Sequence, residues 1–542
     1  MLQKLGLVLF FLTCFLAGFS QQSWWIFFHD KGPESAFLQK NPSLFLSQPS
    51  IQRRLKQGIH LTETDLPVSL TYLNQVKSAG LSVVMSSRWL NAVVVSSQPT
   101  EFQLSKISSI SKIAPCKRYI HYKNPEIPKI NITAKTQSEV SDNQLNMIGL
   151  LTYHSQGNTG DGIKIAVFDD GFLNVNTNIA FQEVRQENRF VITRDFVEGD
   201  SIVTDVGTHG ATILALLAGT LDNEFTGSAP KATYFLARTE LQGSEKHAEE
   251  YNWLAAAEWA DSAGVDIISS SLGYNTFDVG EGDYSNFDLN GNTAIITKAA
   301  DKAASVGILV VNSAGNEGLS SWKKITVPCD GDSVLCVGAV DTNETHWYAS
   351  SVGPTADGRI KPNVMAQGSG TITVFPNGNT GTSSGTSVAT PLVAGLAACL
   401  WQANPSATNI QLLEAIQKSA DRHTNPDTIY GNGIPNAIKA DSILKKIISH
   451  RLSFSQDKKT SISCYPNPAT KEIVIQLEQF DNKAKVPAFL LSSIGEILWR
   501  GELNTKSTNK INIEGISQGL YWLSIAAENG SSIVIPLYKT TE

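Results

Sequence analysis

The chain has 542 residues, more than one hydrophobic core usually organises, so its length predicts three or four domains. Hydrophobic residues make up 42% of the composition and charged residues 17%, which is ordinary for a globular protein. The net charge of -7 argues against a nucleic-acid partner, because no excess of basic side chains offsets the repulsion from phosphates.

The first twenty residues predict a signal peptide. Lys4 precedes an apolar run of 15 residues, 5–19, which is too short to span a bilayer but suits a signal sequence. Gly18-Phe19-Ser20 offers small residues for cleavage, so the mature chain is expected to begin near residue 21. A lipoprotein signal at Cys14 is less favoured, because threonine is a poor residue before the cysteine. No later segment is long and apolar enough to be a transmembrane anchor, so we expect export.

Residues 21–140 predict a small α+β domain. The pattern is strand, helix, strand, strand, at 25–29, 66–79, 81–85 and 90–95. The stretch 121–145 is polar, contains two prolines and lacks periodicity. It therefore predicts an exposed linker that is open to cleavage.

Residues 141–448 predict an α/β domain with a parallel sheet covered by helices on both faces. Its apolar runs are continuous rather than alternating, as buried parallel strands require, and lie at 163–168, 233–237, 265–269, 308–311 and 335–340. Helical segments at 248–263 and 293–305 separate some of these runs, and two more are predicted at 409–419 and 434–447. In such sheets the functional groups lie beyond the carboxyl ends of the strands.

A serine in this domain is placed as a nucleophile would be. Ser387 lies in Gly385-Thr386-Ser387-Val388-Ala389-Thr390-Pro391, ahead of an apolar run, 392–400, that predicts a buried helix. Pro391 suits the first turn of a helix, where its missing N–H costs nothing. Ser387 is therefore expected at a helix N-terminus, where unpaired N–H groups stabilise a developing anion.

Serine needs a base and a carboxylate that orients the base. Asp169 follows the predicted strand 163–168, and His209 stands in Gly207-Thr208-His209-Gly210 at the start of an apolar helical segment. The order Asp, His, Ser with these motifs resembles the subtilisin-like serine peptidases, or subtilases. The resemblance covers about 141–448.

The resemblance implies a fold and a set of roles. Asp169, His209 and Ser387 would form the catalytic triad, and Asn316, in Ala314-Gly315-Asn316, would donate to the oxyanion. Ser271, Leu272 and Gly273 would pair with an extended substrate. By its position, the domain at 21–140 resembles the inhibitory pro-domain of these enzymes. The implied function is that of a secreted serine endopeptidase, made as a zymogen, that acts on proteins or peptides.

Other interpretations compete with these roles. Asp170 is an alternative to Asp169, although the family pattern takes the first acid after the strand. A non-catalytic surface protein or adhesin could use the same scaffold, but all four catalytic positions hold competent residues. An esterase or lipase would need Gly-x-Ser-x-Gly and the order Ser, acid, His, and the sequence has neither.

The C-terminal part of the chain has a different character. Residues 449–463 are charged and serine-rich and predict a linker, whereas 464–542 hold short strands of regular spacing that predict a β-sandwich. Tyr465-Pro466-Asn467-Pro468 and Gly519-Leu520-Tyr521 resemble the sorting domains of the type IX secretion system. The resemblance implies outer-membrane secretion machinery as a partner, and a secreted or cell-surface protein of a Gram-negative bacterium.

The cysteines are too few for disulfides to hold the fold. Cys329 and Cys336 bracket a short polar loop and predict a local disulfide, whereas Cys399 is expected to be a buried thiol. The chemistry requires no cofactor. Calcium is common among subtilases, yet no Asp-rich loop stands out as a ligand set, so the metal assignment stays open.

Overall fold

A computed structural model of the chain describes residues 23–116, 142–456, 461–478, 484–492, 497–526 and 532–540. The chain divides into two compact units, residues 1–445 and 446–542. The predicted signal peptide lies outside the described residues. So does most of the predicted linker 121–145, whose last four residues belong to a helix, α5 (Asp142–Met147).

Residues 23–116 form a four-stranded antiparallel sheet with helices. The strand order is β2-β3-β1-β4. The strands are β1 (Ser23–Phe28), β2 (Val83–Ser87), β3 (Ala92–Val95) and β4 (Ile110–Cys116). The helices are α1 (Ser35–Lys40), α2 (Gln48–Gln57), α3 (Leu70–Ser78) and α4 (Glu101–Leu104). The sequence did not predict α1, α2, α4 or β4; most side chains of β4 are exposed or partly exposed, and it has no continuous apolar run.

The two faces of this sheet have different partners, because successive side chains of a strand point to opposite faces. Ile26 and Phe28 pack with α3 in one apolar cluster. Trp25, on the other face, joins a cluster made mainly by the following domain, and its ring lies 5.3 Å from that of Tyr251. The first domain thus packs against the second through one face of its sheet.

The second domain is built on a seven-stranded sheet in which every pair is parallel. Its order is β13-β12-β11-β10-β5-β9-β6. Its strands are β5 (Lys164–Asp169), β6 (Phe190–Asp195), β9 (Thr233–Arg238), β10 (Ile267–Ser270), β11 (Leu309–Ser313), β12 (Val334–Val340) and β13 (Val364–Gln367). Two further pairs form separate two-stranded sheets, β7 (Thr220–Leu221) with β8 (Phe225–Thr226) and β14 (Thr371–Val374) with β15 (Thr380–Ser383).

Helices cover both faces of the sheet, as predicted. Helices α9 and α10 pack on one face and α8 and α11 on the other. The helices after α5 are α6 (Leu150–Ser155), α7 (Gln182–Gln186), α8 (Thr208–Ala218), α9 (His247–Ala263), α10 (Ile295–Ser305), α11 (Thr386–Ala403), α12 (Asn409–Ser419) and α13 (Ala437–Gln456). Among the described residues α11 alone has the length and hydropathy of a membrane span, and most of it is buried in this domain.

The sequence did not predict β6 and β13, which are the two edge strands of the seven-stranded sheet. Strand β6 carries Arg194 and Asp195 and exposes Val191 and Ile192, so it lacks the continuous apolar run of a central strand. Strand β13 is buried but has only four residues, too few for a recognisable pattern.

Pro391 lies deeper in its helix than the sequence prediction placed it. Helix α11 begins at Thr386, so Pro391 is its sixth residue rather than part of the first turn. A proline there has no N–H to donate to the carbonyl oxygen four residues earlier, which belongs to Ser387. The prediction took the start of the apolar run for the start of the helix, whereas the small residues before it are also helical and buried.

Part of the predicted linker 449–463 has regular secondary structure. Helix α13 continues to Gln456 and the next strand begins at Ser461, so most of this stretch has regular secondary structure. Polar composition does not distinguish a solvated helix from a linker. Once a helix is nucleated, each further residue adds one backbone hydrogen bond at small entropic cost. A helix can therefore extend beyond its last apolar residues into a polar stretch of sequence.

The C-terminal unit contains two antiparallel sheets of order β16-β17-β20 and β19-β18-β21-β22. Its strands are β16 (Ser461–Tyr465), β17 (Glu472–Glu478), β18 (Lys485–Ser492), β19 (Ile497–Asn504), β20 (Asn509–Asn512), β21 (Gly519–Ala526) and β22 (Ser532–Lys539). Buried side chains of both sheets share one apolar cluster, including Ile475 and Leu490. This is the predicted β-sandwich.

Candidate active site

An acid and a histidine meet at the carboxyl end of the central strand β5. Asp169 is its last residue and is fully buried, and its Oδ1 lies 2.7 Å from Nδ1 of His209. His209 is the second residue of α8, which begins beside that strand end. The side-chain pair is therefore fixed by the sheet and by the N-terminus of one helix.

Two glycines allow this close approach. A side chain at Gly210 would place its Cβ 2.1 Å from the carbonyl oxygen of Gly171 and 2.8 Å from Cβ of Asp169. Gly207 has a φ of +84°, and a Cβ there would lie 2.3 Å from Cα of Gly171. Because neither position has room for a methyl group, the glycines around His209 bring α8 against the strand end.

The environment shifts the pKa of both groups upwards. Burial raises the pKa of Asp169 to about 6, although the neighbouring imidazole opposes that rise. Burial by itself would lower the pKa of His209, but the charge of Asp169 and its hydrogen bond raise it to about 9. The His209 side chain is 42% exposed, so a molecule in the cleft can reach it.

Asp170, the alternative acid, has other partners. Its Oδ1 accepts a hydrogen bond from the backbone N–H of Gly210 at 2.9 Å, and its Oδ2 accepts one from Nε2 of Gln242 at 2.9 Å. Asp169, Asp170 and His209 also bring three possible metal-ligand atoms within 4.8 Å of one another. Three of the four carboxylate oxygens of Asp169 and Asp170 accept hydrogen bonds. These bonds orient α8 and His209, which explains why the acids lie together.

Ser387 is the second residue of α11, and an amide lies beside it. Oδ1 of Asn316 accepts hydrogen bonds from the backbone N–H of Thr386 at 2.9 Å and from its hydroxyl at 3.1 Å. A Cβ added to Gly385 would lie 2.7 Å from Oγ of Ser387 and 3.6 Å from Nδ2 of Asn316. The serine hydroxyl and the amide donor thus flank the same small space, which Gly385 leaves open.

The segment that the sequence assigned to substrate pairing is partly used to build the site. Ser271 donates from its hydroxyl to the carbonyl oxygen of Ser387 at 2.8 Å, the oxygen that Pro391 cannot bond. The carbonyl oxygen of Leu272 accepts from Asn312 Nδ2 at 2.8 Å and from Ser313 Oγ at 3.2 Å. Sequence reasoning missed this supporting role of Ser271, since Ser271 and Ser387 are 116 residues apart.

Gly273, like Leu272, is partly exposed. Among the described residues its backbone N–H and C=O make no hydrogen bond, so both can pair with an extended peptide.

The predicted disulfide is present near the site. Cys329 and Cys336 are bonded, and Cys336 lies in β12 beside Asn312 of β11. Within the bridged loop, Asp330 is buried and accepts hydrogen bonds from Gly291 and Thr297. Cys399 is a buried free thiol, as expected.

Comparisons with known proteins match three parts of the chain. Residues 23–138 match the peptidase S8 propeptide domain of Bacteroidota, and residues 463–535 match a secretion system C-terminal sorting domain. The solved structure of the prenylagaramide maturation protease PagA is 25% identical, with a TM-score of 0.43, over 55% of this chain and 98% of that one.

Curated relatives match about half of the chain. Subtilisin NAT of Bacillus subtilis subsp. natto is 34% identical over 288 residues, which cover 52% of this chain and 66% of that protein, just under two thirds of its length. Subtilisin of Bacillus pumilus is 33% identical over 288 residues, which cover 92% of that protein. Residues 160–433 match the Subtilase family, peptidase S8. The chain therefore belongs to the subtilases, a family of serine endopeptidases.

Proposed function

We propose that the chain is a secreted serine endopeptidase in which Asp169, His209 and Ser387 form the catalytic triad and Asn316 supplies an oxyanion donor. The observation that carries the proposal is the hydrogen bond between Asp169 and Nδ1 of His209, at the same edge of the sheet as Ser387 and Asn316. A carboxylate on Nδ1 fixes the tautomer in which the other ring nitrogen can accept a proton.

In the proposed reaction, His209 accepts the proton of the Ser387 hydroxyl as Oγ attacks the carbonyl carbon of a peptide bond. The carbonyl oxygen becomes an anion and accepts hydrogen bonds from the amide of Asn316 and the backbone N–H of Ser387. His209 then passes its proton to the leaving amine. Water, deprotonated by His209, hydrolyses the acyl-enzyme and regenerates the serine.

The hydrogen bonds of Asn316 support its role. Because its Oδ1 accepts from Thr386, the amide is anchored, and its NH₂ group makes no hydrogen bond to the described part of the chain. Ser387 lies in the first turn of α11, so its N–H has no partner within the helix. Both donors are thus available to a developing negative charge.

Substrates are proposed to be extended segments of proteins. Gly273 offers backbone groups for strand pairing, which needs a substrate without its own secondary structure at the cleaved bond. The sorting domain and the propeptide match support a zymogen that is exported and then freed from residues 23–138. We propose that type IX outer-membrane machinery of a member of the Bacteroidota carries out this export.

The test compares the full chain with two serine variants on an unfolded protein substrate. Ser387→Ala is expected to abolish cleavage, whereas Ser384→Ala, on an exposed serine three residues earlier, is expected to retain it. New termini are mapped by mass spectrometry with and without a serine-directed inhibitor. Cleavage by Ser387→Ala at the wild-type rate would reject Ser387 as the nucleophile. No cleavage by the processed wild-type protein would favour a non-catalytic surface protein.

A further inference from the structure

A buried carboxylate in α9 has its ion-pair partners in the pro-domain. Asp261 is completely buried, and the described residues pair it with Arg53, Arg54 and Arg88, whose side chains are at most 8% exposed. Arg54 is bidentate, with Nη1 at 2.7 Å from Oδ1 and Nη2 at 2.8 Å from Oδ2. Arg88 Nη2 lies 2.5 Å from Oδ2, and Arg53 contacts Oδ1.

Asp261 occupies an unfavourable position for an acid in the catalytic domain alone. It lies in the last turn of α9, which ends at Ala263, and the partial negative charge of a helix C-terminus disfavours a carboxylate. The guanidinium groups reverse this. Burial by itself would raise the pKa of Asp261, but the surrounding arginines lower it to about 2.

Arg53 links this carboxylate to two helix ends. It donates to the carbonyl oxygen of Val265, just beyond α9, at 2.5 Å, and to that of Val306, the residue after α10, at 3.2 Å. Carbonyls at and just beyond a helix C-terminus lack intrahelical partners, so one arginine satisfies a backbone acceptor after each helix as well as the acid.

Glu258, one turn before Asp261 on α9, binds a different kind of donor. Its carboxylate accepts from the hydroxyl of Ser87 at 2.5 Å and from the backbone N–H groups of Arg88 and Trp89 at 3.0 and 3.1 Å. The same face of α9 therefore contacts two parts of the pro-domain. Glu258 accepts from neutral donors at the end of β2, and Asp261 accepts from the guanidinium groups of α2.

We propose that Asp261 and the three arginines are the contact on which binding of the severed pro-domain depends, so that this face of α9 recognises residues 23–116 by their guanidinium groups. The proposal goes beyond the enzyme's activity and concerns a partner surface. Removing the carboxylate would leave Arg53 and Arg88 without an ion-pair partner among the described residues, and would leave Arg54 only Asp65, at 3.5 Å. Stranding such buried cations costs far more than the loss of a surface ion pair.

The test uses the full chain with Ser387→Ala, which separates it from the proposed function because no catalysis is needed. A site for an unrelated sequence-specific protease is inserted between residues 117 and 141, the chain is cut there, and the dissociation constant of the two pieces is measured. Asp261→Asn is expected to raise this constant at least about 100-fold. Glu250→Gln is the matched control, since this buried acid of α9 bonds His247 and Tyr284 in its own domain.

Variants on the pro-domain side complete the test. Arg54→Gln alone is expected to weaken binding at least about tenfold, and combined with Asp261→Asn to weaken it less than the product of the two effects. An unchanged constant in Asp261→Asn, or an equal loss in Glu250→Gln, would overturn the proposal. If Asp261→Asn does not fold, Arg54→Gln and Arg88→Gln decide, and unchanged constants in both would overturn it.

Discussion

The hydroxyl of Ser271 donates to the backbone carbonyl oxygen of Ser387 at 2.8 Å, in place of the helix hydrogen bond that Pro391 cannot make. At Ser387, the first turn of α11 is thereby tied to the segment after β10. Because Ser387 lies in that turn, the position of the proposed nucleophile depends on a side chain far away in sequence.

Ser271→Ala is expected to lower kcat about five- to tenfold with little change in KM, because one hydrogen bond of about 1 kcal/mol holds Ser387. Steady-state kinetics on a peptide substrate measure this. Ser285→Ala, on a capping serine of a surface loop, is the control. In Pro391→Ala the residue regains an N–H that can bond Ser387, so the effect of Ser271→Ala should shrink. An undiminished effect there would contradict this explanation.

Activity is expected to depend on pH through His209. The protonated ring cannot accept the Ser387 proton, so kcat/KM should fall as the pH drops below the pKa of His209. Since Asp169 raises that pKa from 6.5 to about 9, the midpoint of the rising limb should lie between these values. In Asp169→Asn the charge is lost, so the remaining activity should titrate at lower pH. A midpoint that does not move would exclude Asp169 as the cause.

The precursor with Ser387→Ala is expected to stay intact. If release of the pro-domain is autocatalytic, removing the nucleophile should prevent cleavage between Lys123 and Ser141. Mass mapping of the purified variant, incubated without added protease, measures this, with Ser384→Ala as the processed control. Normal trimming of Ser387→Ala would assign maturation to another peptidase.

Loss of the Cys329–Cys336 disulfide is expected to lower stability by about 2–3 kcal/mol, since so short a ring restricts the unfolded chain only modestly. The double variant Cys329→Ala/Cys336→Ala should fold with a lower melting temperature and remain active. Alkylation of the denatured, unreduced protein is the direct check. Labelling of both thiols would show that the bond does not form in the exported protein.

Deletion of the C-terminal unit is expected to leave peptide hydrolysis unchanged while the protein accumulates in the periplasm. The proposed catalytic residues all lie in the first compact unit, and the cut belongs after Gln456, where α13 ends. Melting temperature, turnover and cell fractionation are compared with the processed full chain. A markedly lower melting temperature or lost turnover would show instead that the C-terminal unit supports the enzyme.

The sequence by itself determined the fold class, because buried parallel strands need continuous apolar runs and these lie ahead of Asp169 and Asn316. It also indicated the disulfide, since Cys329 and Cys336 are seven residues apart and chain connectivity keeps them close. The family pattern favoured Asp169 over Asp170, but only the tertiary structure showed the bond from Asp169 to His209 and those from Asp170 to Gly210 and Gln242.

The bonds from Ser271 to Ser387 and from the three arginines to Asp261 were likewise decided by tertiary structure. They join residues at least 116 positions apart. In the sequence, each of these residues is a polar residue without a distinctive local pattern. Periodicity and local motifs record what a residue does for its own helix or strand. A buried hydrogen bond across the fold depends on which distant segments the fold brings together. It also depends on the free-energy cost of burying either polar group without a hydrogen-bond partner.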